Sequence, residues 1–286
     1  MRAPRPELLR GQAVVITGAA SGIGRALAQR LSRQGCPVAI ADVDEAGLAV
    51  TARSLTSPTL SRILDVRSAS DVAVFADDVG RWRPGSLGAV FNNAGVAVNA
   101  TVVDADAEDD KWLYDINFHG VVNGTRAFLP LLLDQGYGAV VNTSSVYGLV
   151  AVRYHSAYCA SKFAVRGYTE ALRDELRGSG VRSVTVHPGG IKTNIANTAR
   201  VRSDPSGRGR SQAQMAREFD AAAMTTPERA ARIIQRGVEK GKSRILVGPD
   251  AFLVDVLARI TPTRAADALA ALDSKLSAAS KKEIVR

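Results

Sequence analysis

The stretch Ala13-Val14-Val15-Ile16-Thr17-Gly18-Ala19-Ala20-Ser21-Gly22-Ile23-Gly24 decides the fold of this 286-residue chain. Its apolar start predicts a buried strand, and the glycines that follow predict a turn into a helix over residues 25–34. Such a turn lets a phosphate approach the backbone, and the N–H groups of a first helical turn attract the anion. The stretch therefore predicts a site for a dinucleotide pyrophosphate, although an ordinary strand-to-helix turn would look similar.

Apolar runs of strand length alternate with segments of helix length along the rest of the chain, a pattern typical of a parallel sheet covered on both faces. We predict strands over residues 13–17, 37–41, 59–64, 87–92, 139–143, 182–187 and 244–247, and helices over residues 25–34, 45–55, 69–81, 111–135, 156–178 and 227–240. The fold class is therefore α/β, a Rossmann-type doubly wound sheet of seven parallel strands. Ligands of such sheets bind at the carboxyl edge.

The chain is predicted to form one such domain over residues 1–248, followed by a helical extension over residues 249–286. Residues 199–209 look poorly structured by composition, and a substrate lid is expected over about residues 194–224. The extension reads as two helical parts interrupted at Pro262, packed on the domain or at a subunit interface.

Charge and composition exclude several classes of protein. The net charge of +9 lies in the two ends, because residues 13–199 carry 17 basic and 17 acidic side chains. Basic residues without interleaved aromatics argue against a nucleic-acid partner. No run approaches the roughly 18 apolar residues of a membrane helix, and no apolar signal segment follows the basic N-terminus, so a cytoplasmic protein is expected. Two cysteines and three histidines are scattered, so no metal site is predicted.

A tyrosine and a lysine stand four residues apart in the predicted helix over residues 156–178. Tyr158 and Lys162 therefore share one helical face, where the ammonium favours the phenolate and the pair forms a plausible acid/base device. Ser145 stands thirteen residues upstream, just after a predicted strand. Ser144 is chemically equivalent, and only the spacing to the tyrosine selects Ser145.

Taken together, these motifs resemble the classical short-chain dehydrogenase/reductase family over about residues 10–250. The resemblance rests on order and spacing as well as on the motifs themselves, which are residues 17–24 with their G-x-x-x-G-x-G spacing, Asn92-Asn93-Ala94-Gly95, Asn117, Ser145, Tyr158-x-x-x-Lys162 and Pro188-Gly189.

The resemblance implies a role for each of four residues in hydride transfer between an alcohol or ketone and a nicotinamide. Tyr158 would be the general acid or base. Ser145 would hydrogen-bond the substrate oxygen, as an oxyanion donor does. Lys162 would lower the tyrosine pKa and hold the nicotinamide ribose, and Asn117 would anchor a proton-relay water through its main chain.

The cofactor is predicted to be NAD. Asp42 closes the second strand, where a carboxylate hydrogen-bonds the adenosine ribose and repels a 2′-phosphate. Asp44 fits the cap of the following helix better, and Ser21 stands where NADP-preferring relatives often carry a basic residue. Arg25 could reach a phosphate, but a solvated helix-surface arginine is favoured. The remaining cofactor contacts implied by the resemblance are Gly18, Gly22, Ile23, Gly24, Asp65, Val66, Asn92, Ala94, Gly95, Pro188, Gly189, Ile191 and Thr193.

The substrate is expected to be a small hydrophobic secondary alcohol or ketone, because the pocket candidates are apolar or aromatic: Val96, Val98, Tyr147, Leu149, Val152 and Tyr154. Lid arginines at positions 200, 202, 208 and 210 leave open an acyl or carrier-linked substrate reduced with NADP. A non-catalytic NAD-binding scaffold and peripheral membrane contact through the basic C-terminal helices are further alternatives. The resemblance also implies a homodimer or homotetramer.

Overall fold

A seven-stranded parallel sheet organises the chain, whose computed structural model describes residues 8–202, 204 and 209–267. Its strand order is β3-β2-β1-β4-β6-β7-β9, as the doubly wound prediction requires, and β5 and β8 form a separate two-stranded sheet. The strands are β1 Ala13–Thr17, β2 Val38–Asp42, β3 Thr59–Ile63, β4 Leu87–Asn92, β5 Val98–Asn99, β6 Gly138–Thr143, β7 Val181–Pro188, β8 Arg200–Val201 and β9 Arg244–Val247.

Helices cover both faces of the large sheet because successive side chains of each strand point to opposite faces. Val14 and Ile16 join one core cluster with Leu27, whereas Ala13 and Val15 join the other. The helices are α1 Gly22–Ser32, α2 Glu45–Arg53, α3 Ala69–Trp82, α4 Ala107–Tyr114, α5 Gly120–Gln135, α6 Ser156–Glu175, α7 Gln212–Ala222, α8 Pro227–Glu239 and α9 Pro249–Ile260. In the described ranges, no helix is long and apolar enough to cross a membrane.

A chain of buried amides and hydroxyls crosses the centre of the sheet. Asn92 and Asn142 are register partners on β4 and β6. Asn92 Nδ2 donates to Asn142 Oδ1 (2.8 Å) and to Thr125 Oγ1 on α5 (3.2 Å). Asn142 Nδ2 in turn donates to Thr169 Oγ1 on α6 (3.0 Å). The two long helices, which pack in one core cluster on the same face of the sheet, are thus joined to each other by hydrogen bonds through two strand side chains.

Two predicted elements differ in the structure. The helix expected over residues 111–135 begins at Ala107 and is interrupted by a π-helical turn over Asp115–His119. The expected lid contains α7, which Ser211 begins with a full capping box to Gln214. Of the stretch expected to be poorly structured, residues 203 and 205–208 lie outside the described residues, as does the C-terminal segment from residue 268.

Candidate active site

The glycine turn between β1 and α1 forms the cradle that the sequence predicts for a pyrophosphate. Gly18 has a positive φ of 67°, and a Cβ there would lie 2.7 Å from the Cα of Ala94. Ser21 occupies the N-cap of α1 but makes no side-chain capping hydrogen bond. The first helical N–H groups therefore lack the usual side-chain acceptor, and an anion suits this position.

A carboxylate lies beside this cradle at the end of β2. Asp42 Oδ2 accepts from Ala20 N (2.8 Å) and Oδ1 accepts from Asp44 N (3.0 Å). Asp44 itself caps α2 by accepting from Gly47 N (3.0 Å). The chain thus supplies both the donor set and the acidic group that suit a dinucleotide's pyrophosphate and adenosine ribose.

Arg25 is partly buried and hydrogen-bonded in this structure, and it is not a freely solvated side chain. Its guanidinium donates from Nε to Thr51 Oγ1 (3.0 Å) and from the terminal nitrogen to the Ala20 and Gly47 carbonyls. The side chain therefore ties the glycine turn to α2, and the expectation of a solvated arginine was wrong because this partner helix packs within reach.

The order of strands reverses at β1, which lies between β2 and β4. Because the strands are parallel, the carboxyl ends of β1, β4, β6 and β7 lie at the same edge of the sheet. Thr17 Oγ1 accepts from Asn93 N (3.1 Å) and Ala94 N (3.2 Å), which fixes the segment after β4 against the glycine turn. The Asn92 side chain points into the buried amide chain, so only its backbone can border a cofactor. This edge is a topological switch point, where ligands of open α/β sheets bind.

Ser145, Tyr158 and Lys162 converge at this edge. Ser145 follows β6, is 8% exposed, and accepts from Tyr147 N (3.1 Å). The buried Lys162 Nζ donates to Thr143 O (3.1 Å) and lies 5.6 Å from the centre of the Tyr158 ring. Ser144 is turned away, and its hydroxyl donates to Lys162 O (2.8 Å). The two neighbouring serines therefore have separate positions, and Ser145 is the one beside the phenol.

Burial dominates the titration of this cluster. It raises the pKa of Tyr158 to about 12, and the Ser145 hydroxyl, hydrogen-bonded to the phenol, opposes that rise. Burial also lowers the pKa of Lys162 to about 8. In this arrangement the tyrosine is neutral and holds a proton at physiological pH.

Asn117 lies in the π-helical turn and is fully buried. Its side chain accepts from Val96 N (2.8 Å) and donates to Val96 O (3.0 Å) and Ser161 Oγ (3.3 Å). A Cβ on Gly95 would lie 3.3 Å from Asn117 Oδ1 and 3.4 Å from Lys162 Nζ. Asn117 therefore lies next to Lys162, and its side-chain hydrogen bonds tie the backbone of Val96 to Ser161 of α6.

The segment after β7 closes the site from the other side. Thr193 lies against the glycine turn, because a Cβ on Gly22 would be 3.0 Å from Thr193 Cγ2. Ile191 is buried in the core, so its backbone rather than its side chain can face a ligand. After β3, Val66 is buried and the Asp65 carboxylate pairs with Arg67, whose hydrogen bonds hold the Asp65 pKa below its usual value.

Two residues that the sequence did not single out contact this site. His187 on β7 is fully buried, and its Nδ1 lies 2.9 Å from Ser145 O. Asp250 on α9 accepts from Gly190 N through Oδ2 (2.5 Å). The position of His187 next to the Pro188-Gly189 motif could have indicated that it lies near the site. No local pattern indicates Asp250, because it is 60 residues from Gly190 in the sequence.

Aromatic rings pack around the phenol of Tyr158. Tyr147 packs edge-on against Tyr158 and His155, with centroids 6.0 and 5.4 Å apart. Tyr154 adopts a positive φ of 71°, the only described residue other than glycine to do so. Leu149 is buried in a cluster with Ala251 and Val254 of α9. The surroundings of the reacting group are therefore aromatic and apolar.

The segment predicted as a lid carries arginines that form ion pairs. Arg200 and Arg202 bind opposite oxygens of Asp109 at 2.7 and 2.5 Å, and that carboxylate is 1% exposed. Arg200 also lies 3.7 Å from the Trp112 ring centre. Arg210 pairs with Asp204 (2.9 Å). Arg208 lies outside the described residues, within which no group of three metal-ligating side chains occurs.

Several known proteins are similar to this chain. A family model described as short chain dehydrogenase matches residues 12–204. The putative oxidoreductase SadH of Mycobacterium tuberculosis is 47% identical over 256 residues, covering 87% of this chain and 91% of the relative. The 3beta-hydroxysteroid dehydrogenase 2 of Eggerthella lenta is 36% identical over 212 residues, covering 72% and 80%. A solved short-chain dehydrogenase/reductase from Burkholderia phymatum in complex with NAD is 31% identical, with a TM-score of 0.79 and coverage of 88% and 94%.

Proposed function

Since this chain belongs to the short-chain dehydrogenase/reductase family, we propose that it interconverts a hydrophobic secondary alcohol and its ketone with NAD. Its membership makes it a nicotinamide-dependent oxidoreductase. The observation that carries the finer proposal is the convergence of Ser145, Tyr158 and Lys162 beside the glycine turn. When bound, the dinucleotide accepts or supplies the hydride.

Tyr158 acts as the acid/base. Its phenol carries a proton, because burial raises its pKa to about 12, so it can donate to a ketone oxygen. In the oxidative direction the phenol first releases its proton to solvent, and the phenolate oxygen then takes the alcohol proton as the hydride leaves the carbon. The cationic Lys162, whose Nζ lies 5.6 Å from the centre of the phenol ring, stabilises the phenolate that forms.

Ser145 orients the substrate oxygen. Its hydroxyl is hydrogen-bonded to the phenol and fixed by Tyr147 N at 3.1 Å. Donors set in place before the reaction stabilise charge that develops on the substrate oxygen. Asn117 holds the adjoining backbone at Val96, and Lys162, whose Nζ lies beside Gly95, would hold the nicotinamide ribose.

Asp42 is the reason for proposing NAD. Its carboxylate stands at the end of β2 and already accepts from the glycine turn. A ribose 2′-phosphate would meet this negative charge, whereas a free 2′-hydroxyl can donate to it. Arg25 is engaged with Thr51 and offers no competing clamp. The NAD complex of the Burkholderia phymatum relative supports the same choice.

An apolar alcohol is the substrate class that the pocket supports. Tyr147 and the ring of His155 stand around the phenol. The name of the Eggerthella lenta relative points to hydroxysteroids, which are hydrophobic secondary alcohols. Arg200 and Arg202 pair with Asp109, and Arg210 pairs with Asp204, so three of the four arginines on which the carrier-linked alternative depends already have acidic partners.

The test is a panel of hydrophobic secondary alcohols and ketones, followed by NADH absorbance with each cofactor. Tyr158→Phe should lower kcat by about 10²- to 10⁴-fold, because it removes one proton-transferring oxygen. Tyr137→Phe is the matched control, since it removes a phenol oxygen that hydrogen-bonds Gln12 away from this edge. Equal activity of wild type and Tyr158→Phe would overturn the mechanism, and no turnover by wild type would favour a non-catalytic scaffold.

Cofactor choice has its own variant. Asp42→Ala should reduce the preference of kcat/KM for NAD over NADP by about tenfold, because the repulsion of the 2′-phosphate is lost. An unchanged preference would contradict the role proposed for this carboxylate.

A further inference from the structure

The first turn of α9 reaches under the segment that leaves β7, here named the β7 loop (residues 188–193). Asp250 is the second residue of α9, and its Oδ2 accepts from the backbone N–H of Gly190 at 2.5 Å. A carboxylate acceptor makes this hydrogen bond about twice as strong as a neutral one. Oδ1 is buried and has no hydrogen-bond partner among the described residues. The carboxylate therefore serves the β7 loop and no other described group through a hydrogen bond.

The β7 loop is shaped to admit this carboxylate. A Cβ on Gly189 would overlap the Asp250 carboxylate, so the absence of a side chain there is a packing requirement. The preceding bond of the loop, Gly189 N to Val247 O at 2.9 Å, belongs to the sheet edge. Gly190 is the point at which the loop leaves the sheet, and Asp250 holds its N–H.

The remainder of α9 is fixed firmly enough to make Asp250 a rigid support. Ala251 and Val254 are buried against Val146 and Leu149, in the segment that follows Ser145. Asp255 forms ion pairs with Arg244 on β9 and with Arg259 one turn later in α9. The helix thus packs behind the catalytic serine on one side and holds the β7 loop on the other.

We infer that Asp250 is a positioning residue for the nicotinamide end of the cofactor, and that α9 is part of the active site. The inference rests on the proposed function for the place of the nicotinamide beside the β7 loop. Asp250 touches neither substrate nor cofactor. It fixes the Gly190 peptide, and through it the backbone of Ile191 and the position of Thr193, which lies against the glycine turn.

Two ligands separate this role from a general effect on folding. NADH contains the nicotinamide, whereas ADP-ribose contains only the part that the glycine turn and Asp42 would hold. Asp250→Ala should weaken NADH binding by about tenfold, the effect of losing one charge-assisted hydrogen bond, and leave ADP-ribose binding unchanged. Asp250→Asn should restore most of the NADH affinity, because its amide oxygen can accept from Gly190 N.

Asp255→Asn is the matched control, since it removes a carboxylate from the same helix without touching the β7 loop. Its ratio of NADH to ADP-ribose affinity should equal that of wild type. Circular dichroism and thermal unfolding establish that each variant is folded. Unchanged NADH affinity in Asp250→Ala, or equal losses for both ligands, would overturn the inference. Neither binding measurement uses an alcohol substrate. Failure of the proposed reaction can therefore be told apart from failure of the role inferred for Asp250.

A double variant tests the packing argument. Gly189→Ala alone should weaken NADH binding because its methyl group displaces the carboxylate. In the Asp250→Ala background the same substitution should have little effect, since the overlapping group is gone. Additive losses would show that the two residues do not act through one contact, contrary to the proposal.

Discussion

The buried imidazole of His187 makes the stability of the fold depend on pH. Nδ1 faces Ser145 O at 2.9 Å, and Nε2 is buried without a hydrogen-bond partner among the described residues. Burial lowers the pKa of His187 from 6.5 to about 4, and the hydrogen bond to the Ser145 carbonyl opposes that shift. Among the charged groups around it, Arg244 and Arg166 lower the pKa further, and Glu170 raises it.

The sign and size of the effect follow from the two pKa values. Below pH 6.5 the unfolded chain protonates this histidine while the folded chain does not, so stability falls as the pH falls. The loss is about 2 kcal/mol between pH 7 and pH 5, and about 3 kcal/mol once the pH reaches the folded pKa. At neutral pH the histidine is uncharged in both states and contributes no such effect.

The assay is urea unfolding of wild type and His187→Asn at pH 5, 6 and 7, at one protein concentration. The asparagine amide can place a donor near the position of Nδ1 and does not titrate. Subtracting the two free energies of unfolding at each pH cancels the other titrating groups, which are common to both proteins. The difference should move by about 2 kcal/mol in favour of His187→Asn between pH 7 and pH 5.

Parallel curves for the two proteins would refute the reasoning, because they would mean that His187 has the same pKa in the folded and unfolded chains. His187→Leu separates titration from the hydrogen bond. It should flatten the pH dependence equally but lower kcat, since the Ser145 carbonyl then loses its contact with the imidazole and keeps only the hydrogen bond from Gly148 N at 3.0 Å.

Two further variants test buried charges. Asp109→Asn should cost about 2 kcal/mol of stability, because it removes the buried carboxylate that binds the guanidinium groups of Arg200 and Arg202. It should also speed hydrogen exchange at the backbone amides of these two arginines. Unchanged exchange would show that the ion pairs do not hold the segment predicted as a lid. Lys162→Met should abolish turnover yet raise stability by about 2 kcal/mol at pH 7, because burial lowers the lysine pKa to about 8 and so disfavours the charged ammonium in the folded chain. The gain in stability should fade as the pH rises from 8 to 10.5. A gain that stays constant over that range would contradict the shifted lysine pKa.

The regular part of the fold was predictable from local sequence. Short apolar runs such as Leu87–Asn92 and Arg244–Val247 were found with their observed bounds, since buried parallel strands are nearly continuous in hydrophobicity. The motif residues also converge as the resemblance implied. Tyr158 and Lys162 share a helical face, and Ser145 stands beside the phenol, because the switch point brings these strand ends together.

The parts that were missed depend on contacts distant in sequence or on small backbone irregularities. The π-helical turn over Asp115–His119 lengthens one hydrogen-bonded turn of the helix by a single residue. The apolar periodicity is then almost unchanged, so the sequence gives no clear sign of the turn. Helix α7 carried a readable signal, the capping box of Ser211 and Gln214, but its face is weakly apolar. The engagement of Arg25 with Thr51 could not be read locally, because it depends on where α2 packs.

The amide pair at the centre of the sheet also determines which alignment of two strands is stable. Strands β4 and β6 carry alanine, valine and phenylalanine opposite alanine and valine, and a slip of two residues would place Asn92 opposite Val140 or Val90 opposite Asn142. Such a slip keeps every side chain on its own face but separates Asn92 from Asn142. Asn142 Oδ1 would then lose the donor that it has in Asn92 Nδ2, at a cost of about 1–3 kcal/mol for a buried acceptor left unpaired. The pair disfavours the misaligned sheet and so keeps the carboxyl ends of β4 and β6 level with one another.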